Sequence, residues 1–155
     1  MKLIVSALAL AVTLALPGAA AAQNTGLRAT YGEVRLSAGF QPDPHRVSLT
    51  AGGSIDAYAD TNLPAACVGN ISNAPDYEIT YSAGYLPLVF RTRSSSDTTL
   101  IINAPDGSWW CDDDSWGDGD AQVRFNLPSS GTYDIWVGTF GRSTASATLL
   151  VTETP

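Results

Sequence analysis

The sequence predicts an all-β protein, a jelly-roll-like antiparallel β-sandwich of about eight to ten strands fastened by one disulfide. Three observations carry that expectation. Apolar residues recur at alternate positions along most of the chain after residue 30. Clusters of Gly, Pro, Ser and Asp separate those stretches. No helix-length window there keeps a 3.6-residue apolar period free of Gly or Pro.

Taken in order, residues 1–22 read as a signal peptide. Lys2 supplies a positive start, Leu3 to Leu16 is apolar apart from Ser6 and Thr13, and Pro17-Gly18 ends the run. Ala20-Ala21-Ala22 then offers a small-x-small cleavage site before Gln23. The apolar run is shorter than the roughly 20 residues a bilayer-spanning helix needs. The expected product is a periplasmic or extracellular protein cut after Ala22, with no membrane span in the mature chain. Residues 23–30 are expected to be a flexible lead-in, and residues 31–155 the sandwich domain.

Within that domain, Val34 and Leu36 alternate with Glu33 and Arg35, and Val47 and Leu49 repeat the pattern. Ile79 and Tyr81 alternate with Glu78 and Thr80, and Phe90 and Thr92 with Arg91 and Arg93. Val123, Phe125 and Leu127 alternate with Gln122, Arg124 and Asn126, and Tyr133, Ile135 and Val137 with Asp134 and Trp136. Period-two alternation marks strands with one face on a core. Leu100-Ile101-Ile102 and Leu149-Leu150-Val151 are continuous runs suited to central strands. Turns are expected at Ala51-Gly52-Gly53, Ser82-Ala83-Gly84, Ala104-Pro105-Asp106-Gly107 and Ser129-Ser130-Gly131. The stretch from Ala51-Gly52-Gly53 through Ala74-Pro75-Asp76 lacks a regular pattern and is expected to be loop.

Composition removes several functions. The formal charge is −7 with a pI near 4.3, so the chain cannot neutralise a run of phosphates and nucleic acid is excluded as a partner. Two Cys and one His cannot build the common structural or catalytic zinc sites. In an exported chain Cys67 and Cys111 are expected to form a disulfide, the alternative being two buried thiols. Closing that loop stabilises by roughly 3–4 kcal/mol in the chain-entropy picture.

Four constellations are candidates for function. Asp112, Asp113, Asp114, Asp118 and Asp120 crowd carboxylates into a Gly-containing loop. Such a loop can wrap a calcium ion, with Asp97 and Asp134 as further ligands if the fold brings them near, or it can be a solvated acidic loop. The spacing is not that of an EF-hand. Trp109, Trp110 and Trp116 are a candidate platform for a sugar or peptide, the alternative being packing. His45, next to Asp43, is the sole imidazole, and no Gly-x-Ser-x-Gly elbow accompanies it.

The second half carries a resemblance. Asp97-Thr98-Thr99-Leu100, the Pro105-Asp106-Gly107 turn, the acidic loop, Val123-Arg124-Phe125 and Gly131-Thr132-Tyr133-Asp134-Ile135-Trp136-Val137 follow one another in order. The stretch from Asp97 to Val151 resembles the bacterial pre-peptidase C-terminal domain. That resemblance implies a non-catalytic β-sandwich with an accessory or binding role, some relatives of which bind calcium, normally appended to a secreted peptidase; the organisation expected here is the sandwich without a peptidase domain. The physical reading of Tyr133 agrees: a buried ring with its hydroxyl on backbone would lock a sandwich corner. The expected function is an exported, non-catalytic module binding an unidentified protein or polysaccharide ligand. The alternatives are a secreted peptidase or hydrolase, and a carbohydrate-binding module using Trp116.

Overall fold

The computed structural model describes residues 23–155; the expected signal peptide lies outside the described residues. Among them there is no helix, and therefore none long and apolar enough to cross a membrane. Eleven strands form two sheets. In chain order they are β1 (Glu33–Ser37), β2 (His45–Ala51), β3 (Ile55–Asp56), β4 (Asn70–Ile71), β5 (Tyr77–Ser82), β6 (Leu88–Ser94), β7 (Thr98–Asn103), β8 (Trp109–Asp112), β9 (Gln122–Phe125), β10 (Gly131–Thr139) and β11 (Ala145–Thr152).

β10 organises the larger, seven-stranded sheet. Its first half pairs antiparallel with β5 and its second half with β7, while its last residue meets β4. β8 extends the sheet beyond β7, and β3 extends it beyond β4. β1 pairs with β5 in parallel, Glu33 opposite Glu78 through Ser37 opposite Ser82. This departs from the antiparallel expectation, and it is possible because the chain visits the other sheet between the two strands. The smaller sheet runs β2-β11-β6-β9, antiparallel throughout.

The alternating residues meet where expected. Ile79, Tyr81, Phe90, Leu100, Ile102, Val123, Tyr133, Ile135, Val137 and Leu149 all lie in one buried cluster between the sheets. Phe90, Phe125 and Tyr133 form an aromatic group with ring centroids 5.2–5.9 Å apart, a spacing that favours edge-to-face and tilted contact. The Tyr133 hydroxyl donates to the Ser129 carbonyl at 2.8 Å, the expected corner lock. Pro105-Asp106-Gly107 makes the turn between β7 and β8, closed by the Ala104 amide on the Ser108 carbonyl at 2.9 Å.

Leu127 is 88% exposed and does not join the core set. β9 stops at Phe125 because its partner β6 begins at Leu88, opposite Phe125. Before it lies Pro87, which has no amide to extend the ladder. The lead-in also differs from expectation. Gln23 and Ala29 are buried, the Gln23 side chain donates to the Ser72 carbonyl, and the Thr30 and Tyr31 amides donate to the carbonyls of Pro75 and Asp76.

A second, smaller core lies on the outer face of the seven-stranded sheet. Trp136 and Ile101 point away from the sandwich and are fully buried with Ala57, Cys67 and Ile71. Residues 52–71, the stretch without a regular pattern, lie over them as a cover. β3 and β4 attach this cover to the sheet, and the Cys67–Cys111 disulfide fastens its far end to β8 with a Cα separation of 5.0 Å. Gly53 and Gly138 mark the closest approaches: a Cβ on Gly53 would collide with the Ile71 backbone, and one on Gly138 with the Thr99 hydroxyl.

Candidate functional site

The acidic loop crosses from β8 of one sheet to β9 of the other, and two of its aspartates hold it in place. Asp112 Oδ2 accepts from the Ser115 amide at 3.0 Å, the Ser115 hydroxyl at 2.8 Å and the Gln122 amide at 2.8 Å. Asp120 Oδ1 accepts from the Ser94 amide at 2.9 Å, and the Thr98 hydroxyl lies 3.4 Å away. Between them the chain turns through positive φ at Gly117, Asp118 and Gly119, conformations that Gly adopts freely and Asp tolerates. Asp113 is half-buried, and Asp114 and Asp118 are exposed.

Asp97 lies against this loop; its carboxyl is held above the ordinary carboxylate range first by burial, then by the charges of Asp114 and Asp113. Asp134 lies elsewhere, opposite Glu78 on the outer face of the sheet. Among the described residues no group of three or more His, Cys, Asp or Glu side chains is disposed to hold a metal ion.

The three tryptophans go to three places. Trp109 joins the cover core, its ring 5.5 Å from that of Trp136. Trp110, its neighbour on β8, faces the other way and packs 5.0 Å from Phe125 at the open edge between the sheets. Trp116 carries the Arg91 guanidinium 3.7 Å over its ring, a cation–π contact. Arg91 in turn donates to the Gln122 side chain at 2.6 Å. Trp110 and Trp116 are 45% and 39% exposed but belong to separate surroundings.

His45 meets the hydroxyl of Tyr77 at 3.1 Å, and their rings stack 5.8 Å apart. Burial holds its pKa below the ordinary value. Asp43 does not orient it: Asp43 Oδ2 instead faces the Glu153 amide and the Thr154 hydroxyl at 3.3 and 3.4 Å.

Residues the sequence did not single out line two clefts. The β10–β11 turn at residues 140–144 stands beside the cover at one end of the sandwich. There Asp56, Asp60, Asn70 and Arg142 line a cleft of about 370 Å³ with Gly53 and Ser54. A second cleft of about 300 Å³ shares Asp56 and Asn70 with it and is flanked by Tyr58 and Phe140, 66% and 61% exposed.

The frame of these clefts is hydrogen-bonded throughout. Asp56 Oδ1 accepts from the amides of Tyr58 and Ala59, and Asp60 Oδ2 accepts from the Asp56 amide, each at 3.0 Å. Asn70 Nδ2 and the Thr139 hydroxyl both donate to the Gly141 carbonyl, at 2.9 and 2.7 Å, and the Phe140 amide donates to the Asp97 carbonyl. The signal available in the sequence was slight: Asp56-Ala57-Tyr58-Ala59-Asp60, and one aromatic in the Phe140-Gly141-Arg142-Ser143 turn.

No protein-family model and no curated protein matches this chain. Among solved structures it is similar to PliG of Aeromonas hydrophila, a periplasmic lysozyme inhibitor of g-type lysozyme. The sequences are 18% identical, the TM-score is 0.39, and the similarity covers 77% of this chain and 96% of that one. The chain itself is an all-β, two-sheet protein with one disulfide.

Proposed function

We propose that this chain is an exported, non-catalytic binding module that meets its ligand through the loop end carrying Tyr58 and Phe140. The observation that carries the reading is the pair of solvent-exposed aromatic rings flanking a cleft whose backbone is fixed by hydrogen bonds from both sides. Large apolar rings held in water on a rigid frame suit recognition, because little ordering entropy is lost on binding. Export accords with the disulfide, which persists in oxidising compartments. An accessory role, as the resemblance of Asp97–Val151 to the pre-peptidase C-terminal domain implies, belongs to the same proposal.

Against the serine-hydrolase alternative stands His45, the sole imidazole of the sequence, which pairs with the Tyr77 phenol. A general base needs its substrate proton within hydrogen-bond reach. The test is surface plasmon resonance of residues 23–155 against panels of purified secreted proteins and polysaccharides, with the Tyr58→Ala/Phe140→Ala double variant alongside. The expected outcome is a ligand whose affinity falls at least about tenfold in a double variant of unchanged melting temperature. Binding indifferent to both rings, or turnover of peptide, ester or glycoside substrates by the purified protein, sinks the proposal.

A further inference from the structure

We infer that the ligand of this loop end is a neutral saccharide, seated with a sugar ring against Tyr58 or Phe140 and its hydroxyls in the Asp56–Asp60–Arg142 cleft. The inference rests on the binding-module reading above and gives it a ligand class.

Three properties of the clefts carry it. Their size comes first. Volumes of about 370 and 300 Å³ suit one or two sugar rings and lie at the small end of ligand sites. A docked protein surface would instead bury on the order of 800 Å² per partner around an apolar centre.

The free hydrogen-bonding atoms come next. Asp56 and Asp60 each spend one carboxylate oxygen on the frame, and their second oxygens have no hydrogen-bond partner among the described residues. The same holds for the side-chain carbonyl of Asn70, whose amide nitrogen is spent on Gly141. Arg142 lines the same cleft and brings guanidinium donors to it. Acceptors and donors in one cleft are what vicinal hydroxyls need, since each hydroxyl gives one hydrogen bond and receives others. The adjacent rings complete the chemistry, because an aromatic face packs against the apolar C–H face of a pyranose while its edge stays wet.

Charge chooses among saccharides. Two carboxylates against one guanidinium line the larger cleft, on a chain of formal charge −7. Uronic acids and sulfated sugars are repelled by that field, and neutral hexoses are not.

The experiment is an array of neutral and acidic oligosaccharides, followed by calorimetry on residues 23–155 with the best neutral binder. The expected result is binding of a neutral oligosaccharide that weakens about tenfold or more in Tyr58→Ala or Phe140→Ala. Trp116→Ala, which alters the Arg91 contact and touches no residue lining the two clefts, should change it less than about twofold. Melting curves verify that each variant folds. Preference for acidic glycans, or loss of binding in Trp116→Ala alone, overturns the inference. If no neutral glycan binds at millimolar concentration while a protein ligand is lost on substituting Tyr58 and Phe140, the saccharide falls and the docking surface stands. If no ligand of either class depends on those two rings, both fall.

Discussion

Ile101 and Ile102 are neighbours on β7 and both are fully buried, yet they are buried by different means. Ile102 lies between the two sheets, where strands of the smaller sheet form the opposite wall. Ile101 lies on the outer face beneath the irregular cover of residues 52–71, which holds to the sheet through two short strands and the Cys67–Cys111 bridge. The difference shows how one sheet can bury both faces with a single regular partner. The inner face is sealed by continuous ladders, the outer by a loop that needs a covalent fastener. β10 reads the same way, with Tyr133, Ile135 and Val137 inward and Trp136 under the cover.

The sharpest way to break this comparison is to remove the same atoms from each side. Ile102→Ala should cost about 4 kcal/mol, because a wall of strands cannot collapse into the cavity, and Ile101→Ala about 2 kcal/mol, because a loop can. Equal losses in urea denaturation would show the cover to be as unyielding as a sheet. Next in size, Cys67→Ala/Cys111→Ala should lower stability by about 3 kcal/mol. Trp109 and Trp136 both sit under the cover, so tryptophan emission should shift to the red at denaturant concentrations that leave the strand signal in circular dichroism intact. Coincident loss of both signals would mean that cover and sandwich unfold as one unit.

A third test uses pH. Burial pushes the Asp76 carboxyl up to about 7, although Asp76 Oδ2 accepts the Val137 amide at 2.7 Å. Burial, and then the charge of Glu78, pushes Asp134 up to about 6. Across the interval from the ordinary carboxylate range to those values the folded chain keeps protons that the unfolded chain has released. Stability therefore falls as pH rises from about 4 to about 7 and gains from acidification over the same span. Asp76→Asn should leave stability at pH 3.5 nearly unchanged, raise it by on the order of 2 kcal/mol at pH 8, and flatten the slope between. An unchanged slope in the variant would remove Asp76 from this account. The smallest expected effect is that of calcium. With Asp112 and Asp120 bonded to the loop's own frame, millimolar calcium should move the melting temperature by less than about 1 °C, and a rise of several degrees would show a cation held in the acidic loop.

The inner core was legible because its signal is local: a strand with one face on a core repeats every second residue, and Val123, Phe125, Ile135 and Val137 do so. The Tyr133 corner and the Cys67–Cys111 pairing were legible for similar reasons, one from the Gly-x-Tyr pattern and the other from there being two cysteines in a chain expected to be exported. The burial of Trp136 was not, because the residues that cover it lie far away in sequence and carry no periodicity. Leu127 continued the alternation of β9 but had no ladder partner left.

The same limit governed the site. A run of aspartates announces itself, whereas the bonding of Asp112 and Asp120 to backbone amides is visible only in three dimensions. Tyr58 and Phe140 stand far apart along the chain and come to one cleft through the pairing of β4 with the end of β10.

Gly53, Gly69 and Gly138 lie where the cover and the sheet bring backbone within touching distance, with no space for even a methyl group. Surface strands tolerate exchange of one apolar residue for another, but a side chain at Gly53 would have to displace the Ile71 backbone, and one at Gly69 or Gly138 the buried Thr99 side chain. Chains built on the same plan should therefore keep glycine at these three positions and the paired cysteines, whatever residues their strands carry.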